Sequence, residues 1–399
     1  VLIKLLPLLM LTLLAGRALC AQDVVAQFTT DKTDYLVGEP LFVTLTVTNK
    51  GNGPIWIDFK SADTPKFCEN FALDVPGAEL PVHGGCGYAG SCANNFREIP
   101  PDKSIAVRRL LNKQFRLQRI GGYAIHAHTN LVVHNQDLFD SPPINQFEVT
   151  DTLRIELQVG NQSQLKAAFQ PFVEGLSSPD LMKRTEAASA ITMLAPPFLE
   201  DVLIELTKSN YASAAIVALR EADTPKTREA LASIAIGNGD SALRIEAMSN
   251  LGRTGDAYLD TLTQLLASDD QAIQNAATQA VGALGGPTAF ARIAALVPSS
   301  DAPTRMAGAE GLGRTGTRLA VPVLIQMLLD TEPNVRQAAV NSLELLTHRV
   351  AFYGDEWSDV TTAPAANDVR RRWVGWWNSY GNDSEIYGTA DCAGVDSLN

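Results

Sequence analysis

His126 and His128 sit two residues apart, with His134 close behind, and that spacing could bring two imidazoles onto one metal ion. The residues between them argue otherwise. Tyr123, Ile125 and Ala127 take the core face of a strand, which sends both histidines outward as solvated side chains. Cysteines offer a second chemistry. Cys86 and Cys92 bracket a five-residue Gly-Tyr-Ala-Gly-Ser loop that could bring the two together, and Cys68 and Cys392 form the remaining candidate pair. Four cysteines allow three connectivities. With no C-x-x-C pair and only His83 nearby, disulfides fit better than zinc.

Near the C-terminus Trp373, Trp376, Trp377 and Tyr380 fall at helical spacing. They could stack on a carbohydrate or a base. The simpler expectation is an end helix whose indoles cap the apolar core. Asp355, Glu356 and Asp359 could hold Ca²⁺ but lack the spaced carboxylate-glycine loop that such a site needs. Arg108, Arg109, Lys113, Arg116 and Arg119 make the densest basic run; interleaved with Leu110, Leu111, Phe115 and Leu117, they read as the solvent face of a sheet. The chain has no G-x-S-x-G, H-E-x-x-H or G-x-x-x-x-G-K-[ST] motif, and no G-x-G-x-x-G following a strand. We therefore expect no enzyme activity, no cofactor and no metal.

The elements that position these residues come in four stretches. Residues 1–21 place Lys4 before an apolar run of leucines and then small residues, the layout of a secretory signal peptide cleaved near Cys20–Ala21; a lipid anchor on Cys20 is the lesser alternative. The expected location is secreted or periplasmic, with no membrane span after cleavage. The net charge of −12 leaves no basic footprint for nucleic acid.

Residues 22–160 read as a β-sandwich. Leu41, Val43, Leu45 and Val47 alternate with Phe42 and threonines, and Leu153, Ile155, Leu157 and Val159 alternate with Arg154, Glu156 and Gln158. Further strands are expected at 55–59, 71–75, 105–111, 114–118 and 123–128.

Residues 161–350 read as an α-α solenoid. Leu251-Gly252-Arg253-Thr254-Gly255 returns unchanged as Leu312-Gly313-Arg314-Thr315-Gly316, with a looser copy at 281–285, so the period is about 30 residues. Each unit opens on a polar turn, continues as an Ala-rich helix, turns at the glycines and returns as a Leu-rich helix. Neither helix can bury its apolar face alone, so successive pairs must stack. Residues 351–399 form the capping segment.

Two resemblances follow from these motifs. Tyr35-Leu36-Val37-Gly38-Glu39-Pro40 with its strand resembles the opening of bacterial immunoglobulin-like sandwiches, including proteinase-inhibitor-type modules; 120–125 is similar to their closing hairpin, which implies a tyrosine corner at Tyr123. The repeats resemble short HEAT repeats of the type first associated with phycobilisome lyases. That resemblance implies a structural Asp–Arg ladder, carried onto Arg244, Arg305 and Arg336. Lyase activity is not carried over, because an exported chain would not meet a nascent phycobiliprotein. The paired His-Glu dipeptides of HEAT-built hydroxylases are missing, with His348 the array's lone histidine.

The expected function is a non-enzymatic scaffold, a monomer or weak oligomer, whose second helices present Asp260, Gln264, Arg292 and Gln326 to a protein partner. An envelope protease inhibitor acting through the sandwich, and a hydrolase at the domain junction, are the alternatives.

Overall fold

The computed structural model describes residues 19–21, 23–58, 71–79, 96–136, 142–253, 255–347 and 359–381. Cys68, Cys86, Cys92, Cys392, His83, His348, Asp355 and Glu356 lie outside these residues, as does the side chain of Cys20. The chain divides into two compact units between Leu194 and Ala195.

The first unit is built on two sheets. Its strands are β1 (Leu19–Ala21), β2 (Val24–Thr30), β3 (Asp34–Leu36), β4 (Phe42–Asn49), β5 (Ile55–Asp58), β6 (Ala72–Asp74), β7 (Phe96–Ile99), β8 (Ser104–Leu110), β9 (Gly121–His134) and β10 (Asn145–Gln158). One sheet has the order β1-β2-β4-β8. The other runs β3-β10-β9-β5-β7, with β6 also on β9 and β3 parallel to β10. The expected cleavage point near Cys20–Ala21 falls in β1, which pairs with β2 through Leu19↔Ala26 and Ala21↔Val24.

Alternation places Phe28, Val43, Leu45 and Val47 of one sheet and Ile57, Ile125, Leu131 and Ile155 of the other in a single buried core. Val159 lies past the end of β10 and is exposed rather than inward. Residues 114–118, expected as a strand, hold only an isolated bridge between Glu79 and Arg116.

Two turns show why their residues are needed. At 36–39 the Glu39 amide donates to the Leu36 carbonyl at 3.0 Å, and Gly38 has φ +86°, the left-handed position of a type II turn. The buried Glu39 carboxylate accepts the Leu36 N–H at 2.9 Å and pairs with Lys32 at 2.6 Å. At Tyr123 the phenol accepts the Arg119 N–H at 3.2 Å, the corner contact expected of it.

The unit also takes in α1 (Gln162–Gly175) and α2 (Leu181–Leu194). Asn161 and Gln164 close a reciprocal capping box at the start of α1. The helices cover the outer face of the four-stranded sheet. Phe42 points out of that sheet yet is buried, its ring 5.8 Å from Phe172 of α1, and it clusters with Leu110 and with Ala190 of α2. Arg108 lies over the Phe42 ring at 4.7 Å, pairs with Asp31 at 2.7 Å and reaches Glu186 of α2 at 3.5 Å.

The basic run therefore departs from a plain solvent face. Arg109 donates to the Phe71 carbonyl and Arg119 stacks on Tyr123. An outward-facing position on a strand was covered by helices that its local pattern does not announce.

The second unit is helical: α3 (Glu200–Leu206), α4 (Ala212–Ala222), α5 (Pro225–Ile236), α6 (Ser241–Leu251), α7 (Leu259–Gln264), α8 (Gln271–Leu284), α9 (Gly286–Ala294), α10 (Ala302–Arg314), α11 (Ala320–Met327), α12 (Pro333–Thr347) and α13 (Ala363–Tyr380). Helices α4, α6, α8, α10 and α12 are the first helices of their pairs and pack in sequence on one another. Helices α5, α7, α9 and α11 return as second helices. Their buried faces carry Leu231, Leu262, Ile293 and Leu324. No described helix is long and apolar enough to cross a membrane.

Candidate partner-binding face of the helical array

Three devices built from the repeated residues set the array's surface. Asp240, Asp270 and Asp301 cap α6, α8 and α10, each carboxylate accepting N–H groups of the first turn. A second device is the fourth residue of α6, α8, α10 and α12, which reaches back to the end of the preceding second helix or the loop after it. The Arg244 guanidinium donates to the Ala235 carbonyl at 3.1 Å, and the Gln274 amide to the Leu266 carbonyl at 2.9 Å. Arg305 donates to the Ser299 carbonyl at 3.0 Å and grips Asp330 with two bonds of 2.7 and 2.9 Å. Arg336, buried, donates to the carbonyls of Asp330, Thr331, Val360 and Thr361 at 2.9–3.0 Å.

Asp330 is thus a joint between units, its carboxylate on Arg305 and its carbonyl on Arg336. That hydrogen bonding holds its carboxyl below the ordinary carboxylate range. Nothing in the repeat comparison marked Asp330. It could have been sought 25 residues after Arg305, where Thr361 stands 25 after Arg336.

The glycines are the third device, and they divide the work. Gly252, Gly282 and Gly313 sit where successive first helices touch by backbone. A β-carbon on Gly252 would fall 2.8 Å from the Ala280 carbonyl oxygen, and one on Gly313 would fall 2.6 Å from Ser342 Cβ. Gly255 and Gly316 instead carry positive φ, +86° and +61°, which turns the chain into the second helix.

With the first helices locked this way, Asp260 and Gln264 of α7, Arg292 of α9 and Gln326 of α11 stand exposed on the second helices. They lie opposite the buried Leu259, Leu262, Ile293 and Leu324. Arg292 pairs with Asp260 of the neighbouring repeat at 3.3 Å. Lys226 of α5 likewise pairs with Asp201 of α3, a cross-repeat link not foreseen from spacing. The second-helix layer is therefore a polar surface partly neutralised from repeat to repeat.

Trp373 and Trp376 are buried and meet edge to face at 5.5 Å, so their ring faces are not open to a ligand. Their helix, α13, packs against α11; Trp377 is half-buried and Tyr380 exposed. His126 is exposed and shares a 3.1 Å hydrogen bond with Thr152, His128 is half-buried, and His134 is buried. No grouping of three metal-capable side chains occurs among the described residues. The Asp359 carboxylate is taken up by the amide and hydroxyl of Thr361, at 3.2 and 2.7 Å. The proposed cysteine pairs lie outside the described residues.

Comparison with known proteins matches residues 196–282, 228–297 and 291–352 to the HEAT-repeat family model. The helical unit from about 196 to 352 is a HEAT-repeat region that follows an N-terminal β-sheet region. An engineered protein is 20% identical, with 44% of this chain and 95% of that one covered, at a TM-score of 0.28. Human deoxyhypusine hydroxylase is 16% identical, with 54% and 96% covered and a TM-score of 0.24. The complex of CpcE and CpcF of phycocyanin lyase from Nostoc sp. PCC7120 is 18% identical, with 52% and 82% covered and a TM-score of 0.26. No curated protein matches the chain.

Proposed function

We propose that this chain is an exported, non-enzymatic interaction protein whose HEAT-repeat surface binds a protein partner through the second helices. The observation that carries this reading is the exposed row Asp260, Gln264, Arg292 and Gln326. It presents polar side chains over buried leucines from one repeat to the next, on a scaffold whose first helices are fixed backbone to backbone. Such rows give a partner many shallow contacts, the mode that stacked repeats favour. Export rests on the leader-like residues 1–21 and on the even number of cysteines beyond them. The N-terminal sandwich is read as immunoglobulin-like, on its two sheets and the Tyr123 corner.

The test is an affinity pull-down from cell-envelope extract with the full chain and with Asp260→Arg/Gln326→Arg. The wild type should recover a partner that the double variant loses. A partner kept by the variant would move the binding face elsewhere; a wild type that recovers nothing above background would end the scaffold reading.

A further inference from the structure

The repeated Leu-Gly-Arg-Thr-Gly segment contains one residue whose charged end packing does not use. Leu251 and Leu312 are buried, Gly252 and Gly313 admit the next helix, and Gly255 and Gly316 make the turn. Thr315 is buried, its hydroxyl donating to the Leu312 carbonyl at 2.7 Å. Arg253 and Arg314 are exposed, and neither has an ion pair among the described residues.

The first helices all run toward these turns, so the turns share one edge of the unit. Arg318 is exposed on the same edge. The acids of this edge are taken up by other cations: Glu200 and Asp201 by Lys226, Glu221 by Arg220, Asp223 by Arg228 and Asp260 by Arg292, while the side chain of Asp256 lies outside the described residues. The opposite edge, where first helices begin, exposes Asp240, Asp269, Asp270, Asp301 and Glu332. Charge is therefore sorted between the edges of a unit within a chain of net charge −12.

We propose that the turn edge is a docking surface for an acidic, extended polypeptide segment of a partner, with Arg253 and Arg314 as its carboxylate contacts and Arg318 beside them. Guanidinium forks suit carboxylates in two-bond geometry. Arg253 stands two residues past the end of α6 and Arg314 ends α10, two helix-to-helix steps apart, which is about 20 Å at the usual spacing. An extended chain rises about 3.3 Å per residue, so about six residues join the two arginines. A single small anion cannot bridge them. A nucleic acid would bring a continuous run of phosphates to a unit whose other edge repels it. The edge meets the second-helix face at Asp260, in the first turn of α7, while Gln264 and Gln326 stand toward the other ends of their helices, so loss of the face at those two leaves the edge intact.

The probe is a fluorescein-labelled 12-residue Gly-Ser peptide carrying two Glu-Glu pairs six residues apart, followed by anisotropy with the full chain at low and physiological salt. Its Gln-Gln counterpart is the neutral control. Binding should need the glutamates, weaken as salt rises, fall at least tenfold in Arg253→Glu/Arg314→Glu, persist in Arg253→Lys/Arg314→Lys, and be unchanged in Lys208→Glu, an exposed cation after α3 at the opposite edge. Circular dichroism checks that the variants fold, which exposure of both arginines leads us to expect. The proposal is overturned if the wild type does not bind the peptide or the Gln peptide binds equally. Undiminished binding by the glutamate variant would also sink it, as would inorganic phosphate or a single-stranded oligonucleotide displacing the peptide at equal concentration.

Discussion

A β-carbon on Gly282 would lie 2.5 Å from the carbonyl oxygen of Gly311, a separation that non-bonded atoms do not tolerate. The α8 and α10 backbones touch at that point because Gly282 has no side chain; a β-carbon on Gly311 would meet a different neighbour, Thr278 Cγ2, at 2.5 Å. Gly282→Ala is therefore expected to force the helices apart and destabilise the array by about 3 kcal/mol. Gly255→Ala is the contrast. Nothing lies within 4 Å of that position, so only its φ of +86° resists a side chain, at about 1 kcal/mol. Urea denaturation of both variants checks the order; equal losses would contradict the division of labour.

Asp330 links two repeats, and both it and Arg305 are mostly buried. Because the folded carboxyl is held below its ordinary value, its stabilising contribution is complete above about pH 4 and is lost as pH falls through the depressed value. Asp330→Asn should lower the melting temperature by a few degrees at pH 7 and narrow its gap from the wild type toward pH 2. Calorimetry across that range measures it. A constant gap would mean that the carboxylate's charge is not what matters.

Glu186 behaves in the opposite sense. Burial against the sheet pushes its carboxyl up, outweighing the Arg108 guanidinium beside it. A raised acid favours the protonated folded form, so stability is full below about pH 4 and declines as pH rises through the shifted value. Glu186→Gln should match or exceed the wild type at pH 7 and flatten its pH dependence between about 4 and 7. A variant clearly weaker at pH 7 would show the Arg108 pairing to be the stronger effect.

Tyr35 is buried, and burial raises its phenol to about 12. Folded protein should show a tyrosine ionising near pH 12 by ultraviolet titration, a step missing in Tyr35→Phe. Stability tied to that proton is intact below about pH 10 and is lost as pH climbs toward 12.

Trp373 is 1% exposed at the end of the array. Trp373→Ala should cost about 3–5 kcal/mol. Tyr380→Ala, at an exposed position, should change little. Comparable losses at both sites would count against the capping role.

The repeat period, the buried leucines of the second helices and the alternation of β4 and β9 were legible in the sequence because each is a local pattern. A helix or strand chooses its buried face at spacings of three to four residues or of two. The same holds for the Asp caps, where a side chain serves amides two or three residues away.

What needed the tertiary structure involves partners far along the chain. Gly252 and Gly255 are the same residue in the same motif. Only the position of Ala280 on the next helix shows that one admits a neighbour and the other makes a turn. Phe42 and Arg108 alternate outward from their sheet like any solvated positions, yet α1 and α2 arrive to cover them, burying Phe42 and half-covering Arg108. Asp330 resembles other loop aspartates until Arg305 and Arg336 close on it from two helices. Periodicity decides which face of an element is apolar. It carries no record of what will be packed against the other face, because that depends on where the rest of the chain returns.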